Sequence, residues 1–316
     1  MSGPLRVAVV GVGHLGQHHA RLLAAMPGVE LTGVVDTRPG RADEIGARHG
    51  APAFTEARDL LGRVDAVSVA VPTTAHLDVA RPFLEAGIAV LVEKPLAASL
   101  DEADALLAAA RRGGAILAAG HTERFNPAVA AALPLVSRPR FIEVHRLGTF
   151  PERSLDIDVI FDLMIHDLDL LLAAVGSPVV AVEAVGVHVL TPRTDIANAR
   201  LRFADGCIAN VTASRISRDR VRKARFFQQD SYVSIDFAAQ EVEVYRLEPQ
   251  KGRPAIAGGR LDITSEEPLQ RELLDFVDAV QTGRDPGVTG QAGRDALALA
   301  TRVAAAMDQT ASFEET

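Results

Sequence analysis

Residues 5–24 read LRVAVVGVGHLGQHHARLLA, an apolar run that opens directly into a glycine-spaced turn and then a helical pattern. The spacing G-x-G-x-x-G falls on Gly11, Gly13 and Gly16. It constrains the chain to a strand, a tight turn and a helix start. Gly11 permits the turn, Gly13 lets backbone approach a pyrophosphate, and Gly16 lets the helix pack closely, with its anion-attracting N-terminus facing the phosphates. Such a turn alone has little specificity. It gains weight from VELTGVVD, a second buried-strand pattern ending in Asp36, twenty residues after Gly16, where a carboxylate can bind the adenosine ribose hydroxyls. Asp36 favours NAD over NADP because it repels a 2′-phosphate, whereas Arg38, two residues on, could receive one.

The alternation of elements continues. VDAVSVAVP and IAVLVEKP are nearly continuous apolar runs, as expected of strands covered on both faces, and HLDVARPFLEAG and LDEADALLAAARRGG are helical by period. The strand ends turn abruptly polar and collect Pro72, Thr73, Lys94, Pro95, His121 and Arg124 where an open parallel sheet keeps its ligand crevice. In that place Lys94 could give a proton or hydrogen bond to a substrate oxygen. On an ordinary surface it would merely snorkel.

With 316 residues and 48% hydrophobic content, the chain is expected to form two domains, 1–122 and 123–316. The net charge of -8 and the scatter of basic residues outside 215–225 argue against nucleic acid as a partner. The single cysteine, Cys207, excludes a disulfide framework and a cysteine cluster for zinc. The first residues lack a basic stretch followed by a cleavage site, and LLLAAVGSPVVAVEAVGVHVL is interrupted by Gly176, Ser177, Pro178 and Glu183. Both features argue for a cytoplasmic protein with no membrane contact.

From about residue 123 the pattern changes to strands with few helices between them. RFIEVHRLGTF, VVAVEAVGVHVL, IANARLRFADGCIANVTASRIS and ARFFQQDSYVSIDFAAQEVEVYRLE predict a mostly antiparallel open sheet, with ADG as a hairpin turn. Residues 247–260 read as a loop, and EPLQRELLDFVDAVQTG and ALALATRVAAAMD as helices. Within DVIFDLMIHDLDL, at 158–170, Asp158, Asp162, His166 and Asp169 recur at spacings of four, four and three, which on a helix makes one stripe. Asp167 points away from it and reads as a solvated or capping carboxylate. The stripe suits either a metal, for which no second ligand cluster is evident, or acid/base work in which His166 takes a hydroxyl proton and Asp162 stabilises the imidazolium or relays the proton. Arg215, Arg218, Arg220, Arg222, Lys223 and Arg225, with Arg146 and Arg153, could receive a diphosphate, although any one of them could equally be the wet face of a strand.

GVGHLGxHHAR, VPTxxH, VEKP and the later D-x-x-x-H-x-x-D resemble the Gfo/Idh/MocA family of NAD(P)-dependent sugar and cyclitol oxidoreductases over essentially the whole chain. The resemblance implies an N-terminal Rossmann domain and a C-terminal α+β domain whose sheet forms a homo-oligomer contact. It implies catalysis by Lys94, Asp162 and His166, without metal. NAD is expected against Gly11, Val12, Gly13, His14, Leu15 and Gly16, at Asp36, Thr37 and Arg38, and along Val71, Pro72, Thr73, His76, Glu93 and Lys94. Substrate contacts are expected at His121, Arg124, Asn126, Arg146, Asp158, Asp169 and Arg215. Met164 stands where many members have glycine, which suggests a different subgroup and pocket. LVEKPLA, GHTERFNPAV and SYVSIDF are similar to a branch that oxidises the 3-hydroxyl of a nucleotide sugar.

Overall fold

The computed structural model describes residues 3–150, 157–248 and 255–311, with side chains to residue 307. The expected alternation appears as β1 (Leu5–Val10), α1 (Gly16–Ala24), β2 (Val29–Val35), α2 (Arg41–His49), β3 (Ala53–Phe54), β4 (Ala66–Val69), α3 (His76–Glu85), β5 (Ala89–Glu93), α4 (Leu100–Gly113) and β6 (Leu117–Gly120). The six strands form one parallel sheet in the order β3-β2-β1-β4-β5-β6. The order reverses between β1 and β4, and the carboxyl ends of all the strands share one edge, so the ligand crevice of such a sheet opens there. Every residue of β4, β5 and β6 is buried, which explains why these strands read as unbroken apolar runs.

The chain continues through α5 (Pro127–Ala132) and β7 (Phe141–Leu147), and a π-helical turn over Ile160–Met164 runs on into α6 (Ile165–Val175). Then come β8 (Val179–Val187), β9 (Ile196–Phe203), β10 (Ile208–Ser214), β11 (Val221–Phe227), β12 (Ser231–Asp236), β13 (Glu241–Glu248) and β14 (Ala255–Arg260). They form an eight-stranded sheet, β14-β13-β12-β11-β7-β10-β9-β8, antiparallel except where β7 and β10 run parallel. In β9 the alternate residues Ala197, Ala199, Leu201 and Phe203 are buried and Asn198, Arg200 and Arg202 are exposed, so one face packs and the other is open. The loop expected over 247–260 is corrected in its described parts. Residues 247–248 extend β13, and 255–260 are β14, whose glycines Gly258 and Gly259 lie opposite Tyr245 and Val244.

α7 (Pro268–Thr282) and α8 (Gly290–Ala311) close the chain. The chain divides into one compact unit of residues 1–122 and 268–297 and a second of 123–267 and 298–316. A single cut after residue 122 therefore omits a return. α7 turns Leu269, Leu273, Phe276 and Val277 into the same core as Leu23 and Met26, and burial of that apolar face holds it with the parallel sheet.

Candidate active site

At the carboxyl end of β1, Gly11 has a φ of +85°, and a Cβ there would stand 2.7 Å from the Ala70 carbonyl oxygen. A Cβ on Gly16 would stand 1.8 Å from the Gly11 oxygen. Only glycine allows this closeness. Gly13 faces open space apart from the Arg38 guanidinium, and no side chain caps the N-terminus of α1. An uncapped helix start beside bare backbone is what a pyrophosphate requires, so these residues fit a dinucleotide. Val12 is buried, whereas His14 and Leu15 are exposed beside the turn.

Asp36 ends β2. Its Oδ2 accepts the Val12 N–H at 3.2 Å and its Oδ1 accepts the Arg38 N–H at 3.0 Å. The Arg38 guanidinium adds two hydrogen bonds, at 3.0 and 3.1 Å. Burial pushes the Asp36 carboxyl up, but Arg38 and the Val12 amide outweigh it and hold the carboxyl below its ordinary range. Thr37 is exposed. At the end of β4, Pro72 is exposed and Val71 and Thr73 are half-buried.

Two residues expected to touch the cofactor turn inward instead. His76 is 1% exposed, with one ring nitrogen 3.0 Å from the Val71 oxygen and the other 3.0 Å from the Pro95 oxygen. Burial pushes its pKa down against the pull of those carbonyls. Glu93 is 5% exposed and lies 3.1 Å from His19. Both fill the interior because every side chain of β5 is covered and His76 opens a helix packed beneath the strand ends. Lys94 itself is half-buried, and His121 is buried just after β6.

In the second unit the Asp/His stripe is not one continuous α-helix. The Ile165 N–H donates to the Ile160 oxygen, five residues back, and this wider turn carries Asp162. Asp162 and His166 are both half-exposed. Asp158 precedes the turn, and its Oδ1 accepts the Thr194 N–H at 2.8 Å. Asp169 is buried and meets Arg124 Nη1 at 3.4 Å. Met164 is 0% exposed, so this departure from glycine fills core and lines no pocket.

The arginines assigned to substrate are likewise turned inward. Arg146 donates to both oxygens of Asp167 at 2.8 and 2.7 Å and to Glu123 at 2.9 Å. Burial disfavours its charge, but the carboxylates of Asp167 and Glu123 win and hold the guanidinium protonated well above its ordinary range. Asp167 is thus the fully buried partner of an arginine, not a solvated carboxylate. Arg215 donates to Asp195 at 2.9 Å and to the Ile157 oxygen at 2.7 Å, which ties down the chain just before the π turn. Asp195 also accepts the N–H groups of Val189, Leu190 and Thr191. Burial raises its pKa, yet these donors depress it far below the ordinary range. Asn126 caps α5, its Oδ1 accepting the Ala128 N–H and its Nδ2 donating to the Phe237 oxygen. Of the basic segment, Arg218, Arg220 and Arg222 remain exposed, and Arg153 lies outside the described residues. Among the described residues no group of three His, Cys, Asp or Glu side chains could hold a metal ion.

Sequence reasoning missed Asp195, Glu123, His19 and Ser68. A usable signal existed for His19, which shares the buried stripe of Gly16, Ala20 and Leu23 on α1.

The glycine turn at the switch point of a parallel sheet, with a carboxylate ending the next strand, defines a dinucleotide-binding protein, and an Asp–His helix on an open mixed sheet narrows that class. The chain belongs to the Gfo/Idh/MocA oxidoreductases. Residues 5–121 match the family model described as oxidoreductase family, NAD-binding Rossmann fold, and residues 138–231 match that of the GFO/IDH/MocA C-terminal domain. The UDP-N-acetylglucosamine 3-dehydrogenase of Acidithiobacillus ferrooxidans is 40% identical over 307 residues, 96% of this chain and 97% of that protein. Its solved structure superposes with a TM-score of 0.90 over 96% of this chain and 98% of that one. The scyllo-inositol 2-dehydrogenase (NAD(+)) of Bacillus subtilis is 30% identical over 69% of each chain. A levoglucosan dehydrogenase in complex with NADH and levoglucosan, 19% identical, shares the fold with a TM-score of 0.88 over 97% of this chain and 98% of that one.

Proposed function

We propose that this protein oxidises the 3-hydroxyl of UDP-N-acetylglucosamine with NAD. The observation that carries this reading is the near-full-length likeness to a dehydrogenase of that sugar. NAD, when bound, supplies the hydride acceptor. Gly11 to Gly16 receive the pyrophosphate, and Asp36 receives the ribose hydroxyls in place of part of its Arg38 contact. His166 takes the hydroxyl proton, Asp162 stabilises the imidazolium so formed, and Lys94 donates a hydrogen bond to the reacting oxygen. All three residues are partly exposed. The ketone product is the substrate type of an aminotransferase, as the making of a lipid A-type 3-amino sugar requires. This chemistry belongs in the cytoplasm, and among the described residues no helix is long and apolar enough to cross a membrane.

The test is NADH formation with UDP-N-acetylglucosamine, set beside free inositol and glucose. Turnover of the nucleotide sugar at least tenfold faster in kcat/KM is expected. Turnover of the free polyols alone would transfer the reading to the inositol dehydrogenases, which the Bacillus relative exemplifies.

The open face of the second sheet supports a homo-oligomer contact. Phe141, Phe227, Tyr232 and Tyr245 form a row across four strands, with ring centroids 5.7, 5.2 and 6.3 Å apart, and Val187, Leu247 and Ile256 are exposed. Light scattering on the purified protein should give a dimer or tetramer, and a monomer would remove this part of the reading.

A further inference from the structure

A buried polar chain runs through the first unit. The Ser68 Oγ is 2.7 Å from His19 Nδ1, and His19 Nε2 is 3.1 Å from Glu93 Oε1. The sequence Ser, His, carboxylate is that of a nucleophilic triad. Yet Ser68 and His19 are wholly shielded from solvent, so no substrate reaches the hydroxyl and nucleophilic catalysis is excluded. The ring nitrogens of His19 thus lie between a hydroxyl and a carboxylate, with the donor and acceptor roles set by the tautomer.

The chain ends on Lys94. Glu93 Oε2 accepts the Lys94 backbone N–H at 3.2 Å. On the other side of the lysine, the Pro95 carbonyl oxygen meets His76, whose second nitrogen meets Val71. A Cβ on Gly120 would stand 2.9 Å from both the Glu93 Cα and its carboxylate, so β6 lies flush against it. We propose that Glu93 and His76, with His19 and Ser68 behind Glu93, are positioning residues that clamp the backbone on both sides of Lys94 and so aim its ammonium group. Because His19 lies on α1, the helix that begins at the dinucleotide turn, the same chain ties the lysine's position to that turn. The proposal rests on the assignment of Lys94 to catalysis, and it takes Glu93 and His76 out of the cofactor contacts.

The test combines amide hydrogen exchange at residue 94, NADH affinity by fluorescence titration, and steady-state kinetics on Glu93→Ala, Glu93→Gln and Ser68→Ala. In Glu93→Ala the Lys94 amide should exchange at least tenfold faster. Its kcat should fall about tenfold to a hundredfold, as small misplacements of catalytic groups do, while KM and the NADH Kd stay within about threefold. Glu93→Gln should recover most of both losses, since its amide keeps an oxygen for the Lys94 N–H and, in the matching imidazole tautomer, a donor for His19. Ser68→Ala removes only a hydroxyl, so it tests the chain even where Glu93→Ala does not fold, and a threefold or greater loss of kcat at constant NADH Kd is expected. A tenfold weaker NADH affinity at unchanged kcat would make Glu93 a cofactor contact and overturn the proposal, as would unchanged exchange at residue 94. The exchange measurement needs no sugar, so a failure of the sugar reading would leave it standing.

Discussion

In the first unit the buried carboxylate of Glu93 faces an imidazole, a hydroxyl chain and a backbone amide, whereas in the second unit the buried carboxylates of Asp167 and Asp195 each face a guanidinium. The first arrangement sets an imidazole between a hydroxyl and a carboxylate. The second carries two fixed opposite charges, each of which is tolerable in the interior only because the other is there. The difference teaches where each unit is vulnerable. Loss of one partner in the second unit threatens the fold, and loss of one partner in the first should mainly displace Lys94.

The largest effect is therefore expected at the Arg146–Asp167 pair. Arg146→Met leaves Asp167 and Glu123 without their counter-charge and should cost about 3–5 kcal/mol, read as a lower urea midpoint. The paired change Arg146→Met with Asp167→Leu should recover most of that loss. A double variant no more stable than the single one would show that the ion pair is not what holds α6 to the sheet.

Next comes a site on the same helix whose removal should not touch stability. His166→Asn should lower kcat about 100- to 1000-fold with the urea midpoint unchanged, as for loss of a general base. Retained activity would remove His166 from the mechanism. Met164, two residues earlier, should behave in the opposite way. Met164→Ala opens a cavity and should cost about 2–3 kcal/mol with kcat within a few-fold, because the side chain is core and not pocket wall. A change of sugar preference at constant stability would restore the subgroup role that its sequence position suggested.

The contrast between the units also explains what the sequence made legible. Parallel strands announce themselves through continuous apolar runs, and the glycine spacing with Asp36 located the dinucleotide turn directly. In the second unit the alternation identifies the strands, whereas the arginines on them read either as a ligand surface or as a wet face. Their phase was readable. Arg146 follows Ile142 and Val144 at a period of two, and Arg215 follows Ala209, Val211 and Ala213, so both belong to the buried face. What could not be read was the partner that makes an inward arginine tolerable, because Asp167 and Asp195 lie 21 and 20 residues away. The π turn was hidden for a related reason. A spacing of four is compatible with either kind of turn, and only the backbone bond from Ile165 to Ile160 distinguishes them. The burial of Glu93 and His76 is not legible either, because motif membership locates a residue near the cofactor without saying which way it points.

The smallest effect tests an arginine–aspartate pair of the first unit. Arg38 is paired with Asp36 as Arg146 is with Asp167, but the Arg38 side chain is 61% exposed, so solvent screens the interaction and about 1 kcal/mol or less is at stake. The Asp36 carboxyl is held below its ordinary range, so its share of stability is present in full above the usual aspartate pKa of about 3.9 and is lost as pH falls through the depressed folded value. In Arg38→Ala, burial is opposed by the backbone N–H groups of residue 38 and Val12 without the guanidinium, so the carboxyl moves up and the guanidinium's share disappears. The gap in unfolding temperature between the native chain and Arg38→Ala should thus be widest near neutral pH and should close as the pH drops below about 4. A gap independent of pH would mean that Arg38 supports the strand end through its aliphatic stem rather than its charge. NADH affinity measured on the same two proteins sharpens the point. Freed of Arg38, Asp36 should bind the ribose at least as well at neutral pH, unless the guanidinium itself contributes to holding the cofactor.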